Sequence, residues 1–213
     1  MKIAAVTPWY QMPELAADYE RVVDGFDLVV VVDNHSPEPV EVAGAVVLAQ
    51  RSNRGFSKAS NVGYREALDA GCDAILFLNN DVRAAGGRLE DAFRAALTPA
   101  CLVGATFGGP HSRGRDGQPR RYLEGWCLGA LTATWEQLST GPGPWCEEFT
   151  EPAYYGDNDL CARAVAAGIE LRQAQMPVVH LGNYTSRHIS AYRDQVAATN
   201  RERYLDRLEA LGV

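Results

Sequence analysis

The stretch Ala74-Ile75-Leu76-Phe77-Leu78-Asn79-Asn80-Asp81 joins a short apolar run to a polar triplet. A continuous apolar run of this length is typical of a strand that is buried on both faces, as in a parallel sheet. Residues 27–36, DLVVVVDNHS, have the same layout, because a valine-rich run leads directly into Asp33. These two stretches predict a parallel sheet whose strands end in polar residues.

Strands and helices alternate around these two stretches through the first half of the chain. Further strands are predicted at residues 3–6, 45–48 and 101–105, and helices at residues 13–24, 57–70 and 87–97. Strands that alternate with helices imply a parallel sheet covered on both faces. We therefore predict an α/β fold with a Rossmann-like, mostly parallel sheet that is flanked by helices.

The second half of the chain is less regular than the first. Residues 107–121 are rich in glycine and arginine and predict a loop or hairpin around Asp116-Gly117. Helices are predicted at residues 131–138, 157–167 and 189–211, and short strands at residues 169–173 and 178–179. The last helix is expected to pack on its own domain or on a second subunit, so a homodimer remains open.

Composition and charge restrict the classes of function. The 213 residues include 20 Lys and Arg against 27 Asp and Glu, a formal net charge of −7, whereas general nucleic-acid binders carry a basic footprint. The five cysteines include no C-x-x-C pair, which argues against a zinc site and a disulfide framework. The N-terminus resembles a strand rather than a signal peptide, and no apolar run is long enough to span a bilayer. We expect a cytoplasmic protein with reduced, buried thiols.

Polar residues follow four of the predicted strands. The clusters are Thr7-Pro8, Asp33 with the residues after it, Asn53-Arg54-Gly55, and Asn79-Asn80-Asp81. Turn formation alone explains one such cluster. Because the carboxyl ends of parallel strands share one edge, where open α/β sheets bind ligands, four clusters favour a binding cleft.

The residue types at this edge indicate the chemistry of a ligand. The chain has no G-x-G-x-x-G after its first strand and no G-x-x-x-x-G-K-[ST], which disfavours a dinucleotide fold and a P-loop. An aspartate flanked by asparagines suits a hard cation such as Mg²⁺ or Mn²⁺. Such a cation would neutralise a diphosphate, with arginines sharing that task.

These motifs resemble glycosyltransferase family 2, the inverting enzymes with the GT-A fold, over residues 3–182. Residues 30–36 resemble the strand that ends in a nucleotide-binding aspartate. Asn53-Arg54-Gly55-Phe56 followed by Asn61-Val62-Gly63 is similar to the N-x-G-F…N-x-G segment of the family. Residues 77–81 resemble the D-x-D-type motif, with Asn79 at its first position.

The resemblance implies how the donor is held. Asp33 would contact a uracil or thymine base, and Asp81 would bind Mn²⁺ or Mg²⁺. His180 resembles a late histidine that reaches the metal or the diphosphate. The other residues that we expect beside the nucleotide sugar, from the resemblance or from their place at the ends of strands, are Thr7, Pro8, Asn53, Arg54, Gly55, Asn61, Asn79 and Asn80.

Two later segments extend the resemblance to the acceptor side. Residues 124–129 look like the segment that lines the acceptor side of the cleft, and residues 154–163 resemble E-D-x-D-L-x-x-R. The resemblance implies that Asp157 is the catalytic base and that Gly125, Trp126 and Asp159 lie on the acceptor side. Gly156 stands where the family has Glu. A helix cap at Asp157 and an Asp159–Arg163 ion pair are the structural alternatives.

The resemblance implies an inverting enzyme of hexosyl or deoxyhexosyl type that moves a sugar from a UDP- or dTDP-sugar to an acceptor hydroxyl. Residues 1–213 would form one domain, with a nucleotide-sugar half (1–105), an acceptor and catalytic half (106–186) and a C-terminal helix (187–213). A catalytically degenerate nucleotide-sugar-binding protein is one alternative. A sugar nucleotidyltransferase is another, although such enzymes begin with a glycine-rich basic loop that is absent after Val6. A further hypothesis is that residues 113–121, or Arg187-His188, close over the anionic donor.

Overall fold

The computed structural model describes residues 1–109, 112–149, 154–182 and 190–213, except for the side chains of residues 190–195. Its strands are β1 (Ile3–Trp9), β2 (Leu28–Asp33), β3 (Val46–Val47), β4 (Ala74–Leu78), β5 (Val82–Ala84), β6 (Cys101–Gly104), β7 (Cys127–Leu131), β8 (Glu170–Gln173) and β9 (Val178–His180). A 3-10 turn (Pro13–Leu15) precedes the helices α1 (Ala16–Val22), α2 (Gly55–Asp69), α3 (Leu89–Ala96), α4 (Thr132–Leu138), α5 (Gly156–Ala166) and α6 (Ser190–Leu211).

The central sheet has seven strands in the order β3-β2-β1-β4-β7-β6-β8. Neighbouring strands are parallel except where β7 pairs antiparallel with β4 and β6. Strands β5 and β9 form a separate antiparallel ribbon. The predicted α/β class with a mostly parallel sheet flanked by helices is confirmed.

Both faces of the sheet are covered by apolar side chains, which explains the continuous apolar runs. Alternate residues of β1 pack on one face with Tyr19 of α1 and Phe93 of α3. The residues between them pack on the other face with Trp135 of α4 and Leu160 of α5. Helix α2 approaches that face so closely that a Cβ at Gly63 would overlap Val6 Cγ1.

Two strands differ from the elements that the sequence predicts. Strand β7 occupies residues for which no strand was predicted, and the helix expected from residue 131 begins at Thr132. Strand β5 lies just after the polar triplet and was also missed. Both depend on long-range pairing, since β7 pairs with β4 and β5 pairs with β9.

The basic segment of residues 112–121 is docked on α6. Arg115 forms ion pairs with Glu202, Asp206 and Glu209. The Ser112 hydroxyl lies 2.9 Å from the Tyr204 hydroxyl in a buried contact. These contacts engage Arg115 with α6. Closure of residues 113–121 over a donor stays a prediction, and Arg187-His188 lies outside the described residues.

Helix α6 packs on its own domain, which is one of the two arrangements that the sequence left open. Tyr204, Leu205 and Leu208 form a buried apolar cluster with side chains that include Cys146 and Ala162. All five cysteines are buried and free, as predicted. Within the described ranges, no helix combines the length and apolar character needed to cross a bilayer.

Candidate active site

The carboxyl ends of β1, β2 and β4 meet at one edge of the sheet. Trp9 and Asp33 are partners in the parallel register, and the Asn34 N–H donates to the Trp9 carbonyl at 2.7 Å. Leu78 ends β4 on the other side of β1, so the Asn79-Asn80-Asp81 triplet follows at the same edge. The edge predicted from the sequence is therefore present.

Asp33 is held at this edge by the loop that follows β2. Its Oδ1 accepts a hydrogen bond from the Ser36 N–H at 2.9 Å, and the Ser36 hydroxyl accepts one from the Gln11 N–H at 2.8 Å. Asp33 as a whole is only 6% exposed. Its Oδ2 has no hydrogen-bond partner among the described residues, so it can accept a hydrogen bond from a ligand.

Amide side chains connect the end of β2 to the start of α2. Asn34 Nδ2 donates to Asn53 Oδ1 at 2.8 Å, and the Arg54 N–H donates to Asn34 Oδ1 at 2.8 Å. Asn53 Oδ1 also accepts from the Gly55 N–H at 3.0 Å. Gly55 begins the helix with a φ of 84°, a conformation that favours glycine. Asn53 therefore shapes the loop, while the exposed Arg54 side chain lies at its surface.

The two candidate metal ligands, Asp81 and His180, lie in direct contact. His180 Nε2 lies 3.1 Å from Asp81 Oδ1 and 3.4 Å from Asn79 Nδ2. The pairing of β5 with β9 places Val82 opposite His180, and the Leu181 N–H donates to the Asp81 carbonyl at 2.9 Å. Asp81 is buried, whereas the His180 side chain is 23% exposed and so borders solvent.

The spacing of this pair is compatible with a shared divalent cation and equally with a hydrogen bond between the two side chains. Two ligand atoms about 2.1 Å from an octahedral cation and at right angles to each other lie about 3.0 Å apart, close to the 3.1 Å found here. Within the described ranges, no cluster of three or more His, Cys, Asp and Glu side chains could hold a metal. A cation at Asp81 and His180 would therefore complete its shell with water and phosphate oxygens, as Mg²⁺ usually does.

The neighbouring Asn80 side chain has an unused donor. It is buried, and its Nδ2 has no hydrogen-bond partner among the described residues. A buried, unpaired polar atom costs free energy unless a ligand or water satisfies it. A phosphate oxygen is an acceptor that would satisfy this amide.

Trp126 connects the metal-ligand pair to the antiparallel strand β7. Its indole ring stacks on the His180 imidazole with 4.9 Å between centroids and 8° between planes. Its carbonyl accepts from the Asn79 N–H at 2.8 Å, and its Nε1–H donates to Glu124 Oε2 at 3.0 Å. Because β7 runs against its neighbours, the residues before it reach the same edge of the sheet.

Asp157 lies in the first turn of α5 and points at this segment. Its Oδ2 accepts from the Gly125 N–H at 3.0 Å, and its Oδ1 accepts from the Asn158 N–H at 2.9 Å. Burial raises the pKa of the Asp157 carboxyl, the backbone N–H groups of Gly125, Asn158 and Asp157 itself lower it, and the charge of Glu124 adds a smaller increase. A carboxyl with a raised pKa beside a cleft is a candidate proton acceptor.

The backbone on both sides of the contact between Asp157 and Gly125 allows the two residues to lie close together. A Cβ at Gly125 would lie 3.2 Å from Asp157 Cβ and 3.1 Å from the Trp145 ring, so only glycine leaves the present spacing undisturbed. Tyr154 and Tyr155 precede α5 with φ values of 83° and 70°. Left-handed conformations at residues other than glycine are strained and often occur at functional sites.

Two predicted donor-side residues are buried and use their polar atoms within the protein. The Thr7 hydroxyl is hydrogen-bonded to the Tyr19 hydroxyl, and neither side chain reaches solvent. Asn61 donates to the Trp145 carbonyl and accepts from the Trp145 N–H, at 2.8 and 3.1 Å. Thr7 joins β1 to α1, and Asn61 joins α2 to residues 142–147, so the structure gives both residues structural roles.

Asp159 is also buried rather than exposed on an acceptor surface. Its Oδ2 accepts from Arg163 Nε at 2.9 Å, and its Oδ1 accepts from Arg207 Nε of α6. Arg163 donates further to the Leu138 and Pro144 carbonyls. The ion pair with Arg163 is the structural alternative considered for Asp159, and Arg207 extends it to α6.

Glu124 begins the segment that the family resemblance places on the acceptor side, but the sequence assigned its side chain no individual role. Its carboxylate receives the Trp126 indole N–H and is close enough to Asp157 to influence the pKa of that carboxyl. The only signal in the sequence is an acidic residue just before a glycine and a tryptophan. That signal does not distinguish Glu124 from the other surface carboxylates of an acidic chain.

Comparisons with known proteins bear on the fold. No protein-family model and no curated protein matches the chain. The structure resembles a mutant Drosophila β1,4-galactosyltransferase 7 solved with manganese, UDP-Gal and xylobiose, at a TM-score of 0.59 and 14% identity over 87% of this chain and 73% of that one. It also resembles a mycobacterial protein, at a TM-score of 0.61 and 17% identity over 98% of this chain and 75% of that one. Likeness at such identities concerns the backbone, and the chain therefore has a GT-A-like fold.

Proposed function

We propose that this chain is an inverting glycosyltransferase that transfers a sugar from a nucleotide diphosphate sugar to an acceptor hydroxyl. A UDP- or dTDP-sugar is the favoured donor, Asp81 and His180 hold Mn²⁺ or Mg²⁺, and Asp157 is the general base. The GT-A-like fold supports this proposal, because a galactosyltransferase of similar fold binds manganese, UDP-Gal and xylobiose. Membership of glycosyltransferase family 2 is part of the same proposal.

One observation carries the proposal: a single short segment separates the candidate base from the candidate metal ligands. The Gly125 N–H contacts the Asp157 carboxylate, while the next residue, Trp126, contacts Asn79 through its backbone and His180 through its ring. An inverting transfer needs a base on one side of the sugar and a stabilised leaving group on the other. The segment provides that separation.

The roles of the side chains follow from their positions. A divalent cation, when bound, stabilises the negative charge that develops on the leaving diphosphate. Asp33 Oδ2 accepts a hydrogen bond from the imide N–H of the uracil or thymine ring of the donor. Asn80 Nδ2 donates to a phosphate oxygen. Asp157 takes the proton of the acceptor hydroxyl. At the same time the oxygen of that hydroxyl bonds to the anomeric carbon, and the bond from this carbon to the diphosphate oxygen breaks.

The raised pKa of Asp157 suits this task. A carboxylate whose pKa is raised above the ordinary aspartate value is a stronger base than an ordinary aspartate. The Gly125 and Asn158 N–H groups fix the orientation of both oxygens.

A thermal-shift screen of UDP-, dTDP- and GDP-sugars, with and without Mn²⁺, tests the proposal. A ligand at about one hundred times its Kd should raise the Tm of a chain of this size by roughly 5–10 °C. We expect UDP- or dTDP-sugars to do so only with Mn²⁺. Absence of a metal-dependent shift with any of these donors would overturn the proposal.

Release of UDP in the presence of acceptor mixtures separates an enzyme from a non-catalytic binder. An enzyme gives turnover that depends on Asp157, whereas a degenerate binding protein gives the thermal shift without turnover. A sugar nucleotidyltransferase would instead produce pyrophosphate from UTP and a sugar phosphate.

A further inference from the structure

Helix α6 contacts the backbone turn that leads into α5. This turn consists of Tyr154 and Tyr155, whose φ values of 83° and 70° are left-handed. Asn200 Nδ2 of α6 donates to the Tyr154 carbonyl at 3.3 Å, and the Tyr155 ring stacks on the Tyr204 ring with 5.5 Å between centroids. Left-handed conformations at such residues are unfavourable unless the surrounding structure holds them. The contacts with α6 supply part of that support.

A second contact joins α6 to the first turn of α5 itself. Asp159 in that turn is completely buried, and its Oδ1 accepts a hydrogen bond from Arg207 Nε. Its Oδ2 accepts from Arg163 Nε of the same helix at 2.9 Å. A buried carboxylate that loses one of its charged donors is destabilised. The Arg207 contact therefore holds the two helices together at this point.

Tyr204 is itself fixed by contacts other than those with the turn. Its hydroxyl lies 2.9 Å from the Ser112 hydroxyl, and the residue is only 1% exposed. Leu205 and Leu208 of α6 belong to the same buried apolar cluster, and Tyr155 packs against that cluster. Because the Tyr204 ring is held in this way, it can support the turn rather than follow it.

The placement of this turn decides where Asp157 lies. Asp157 is two residues after Tyr155 and two before Asp159. Its Oδ1 accepts from the Asn158 N–H, which moves with α5, and its Oδ2 accepts from the Gly125 N–H, which belongs to the segment before β7. A displacement of the first turn of α5 would therefore lengthen the hydrogen bond between α5 and that segment.

We propose that Tyr204 and Arg207 of α6 are positioning residues for Asp157. Tyr204 supports the Tyr154–Tyr155 turn, and Arg207 holds Asp159, so the two side chains fix both ends of the first turn of α5. Asp157 lies between these supports and is thereby kept in its orientation toward the segment before β7. This inference rests on the proposed function for the role of Asp157 as a base, whereas the position of the carboxylate can be measured without that role.

The amide resonance of Gly125 in NMR spectra reports this position without any substrate. Its chemical shift depends on the hydrogen bond to Asp157, and Asp157→Ala supplies the value for the broken contact. The variants are Tyr204→Leu, which removes the aromatic stack, and Arg207→Met, which removes the charge from a long side chain. Arg201→Met is the matched control, because Arg201 is an exposed residue of the same helix.

We expect Tyr204→Leu and Arg207→Met each to move the Gly125 resonance clearly toward its position in Asp157→Ala. Each should also lower kcat by about tenfold or more, because small displacements of a catalytic group can lower a rate by about 10²-fold. The Kd for UDP with Mn²⁺ should stay within about twofold of wild type, since distant sites are energetically independent.

A conservative variant separates the ring of Tyr204 from its hydroxyl. Tyr204→Phe keeps the stack on Tyr155 and loses only the contact with Ser112, so it should restore the resonance and kcat to near the wild-type values. If Arg207→Met does not fold, Arg207→Lys keeps a charge without the planar fork of donors and should move the Gly125 resonance by a smaller amount in the same direction.

General loss of stability would give a different result. It would reduce the amount of folded protein, and with it turnover and the number of UDP sites equally, but the resonance of Gly125 in the folded protein would stay in place. An unmoved resonance in the Tyr204→Leu or Arg207→Met variant overturns the role of that residue. Equal movement in Arg201→Met overturns the inference as a whole.

The outcome for the proposed function is read separately. If the wild-type protein turns over none of the nucleotide sugars, the proposed function fails. The Gly125 resonance would still show whether α6 holds Asp157 in place.

Discussion

His180 Nε2 lies 3.1 Å from Asp81 Oδ1, although 99 residues of sequence separate the two side chains. The pairing of β5 with β9 aligns Val82 with His180 and so brings the histidine beside the carboxylate. The ribbon therefore completes a potential metal site that the main sheet supplies only in part.

Removal of either side chain of this pair should weaken metal binding. We expect Asp81→Ala to abolish metal-dependent turnover, and His180→Gln to weaken Mn²⁺ affinity by about tenfold or more. Titration of Mn²⁺ in the presence of UDP measures both effects. Asp91→Ala, an exposed carboxylate of α3, is the control. Unchanged Mn²⁺ affinity in the Asp81 variant, or full activity in excess chelator, would contradict the assignment.

Asp157→Asn should separate chemistry from donor binding. Loss of a positioned general base typically lowers the rate by about 10²- to 10⁴-fold, so we expect kcat to fall by at least about 10²-fold. The Kd for UDP with Mn²⁺ should stay within about twofold of wild type. Because the substitution is nearly isosteric, circular dichroism serves as the check on folding. A variant with near-wild-type turnover would remove Asp157 from the mechanism.

The pH dependence of kcat/KM should report the environment of Asp157. The base acts in its ionised form, so activity falls as the pH drops below its pKa. Burial, with a smaller contribution from Glu124, raises that pKa, so the acidic limb should lie above the ordinary aspartate value of about 3.9. Glu124→Gln removes the charge that raises this pKa and should move the limb to lower pH.

The control for this profile is Glu136→Gln, which should leave the limb in place. A limb that does not move in the Glu124 variant would mean that another group governs the profile. The shift would also distinguish an electrostatic effect of Glu124 from a purely structural one, which lowers activity equally at all pH values.

Gly63→Ala should destabilise the protein even though alanine favours helices. Its Cβ would overlap Val6 Cγ1 and lie 3.1 Å from Val32 Cγ2, which forces α2 away from the sheet. Such overpacking typically costs about 1–3 kcal/mol. Urea denaturation measures the free energy of unfolding.

Gly156→Ala is the matched control for this substitution. That glycine is also helical, and its added Cβ would meet nothing closer than 3.4 Å. We expect a change between zero and a gain of about 1 kcal/mol. Equal destabilisation by both alanines would contradict the packing argument.

The sequence predicts the fold well where strands are buried on both faces. Residues 74–78 form β4 within the predicted bounds, and the valine run of β2 ends at Asp33. Strand β7 was missed because CLGAL is short, contains Gly129 and runs directly into a helix. Its conformation is fixed by pairing with β4 and β6, which local sequence does not encode.

The part of the candidate site that lies at the ends of buried strands was also predictable from the sequence. Polar residues after buried strands identified Asp33 and Asp81, because topology alone brings those ends together. The closeness of His180 to Asp81 depends on a ribbon whose two strands each have three residues. Residue type and spacing made Thr7 and Asp159 candidates for the site. The structure instead finds both side chains buried, with Thr7 hydrogen-bonded to Tyr19 and Asp159 to Arg207, and neither partner was evident from the sequence.

Strand β7 has a mechanical consequence for the molecule. It joins the β3-β2-β1-β4 and β6-β8 groups into one hydrogen-bonded sheet. Such a sheet leaves no hinge between the side that carries Asp33 and Asp81 and the side that carries β6 and β8. Turnover should therefore not require the two halves to rotate as rigid bodies, and a cross-link between β4 and β7 should leave kcat little changed.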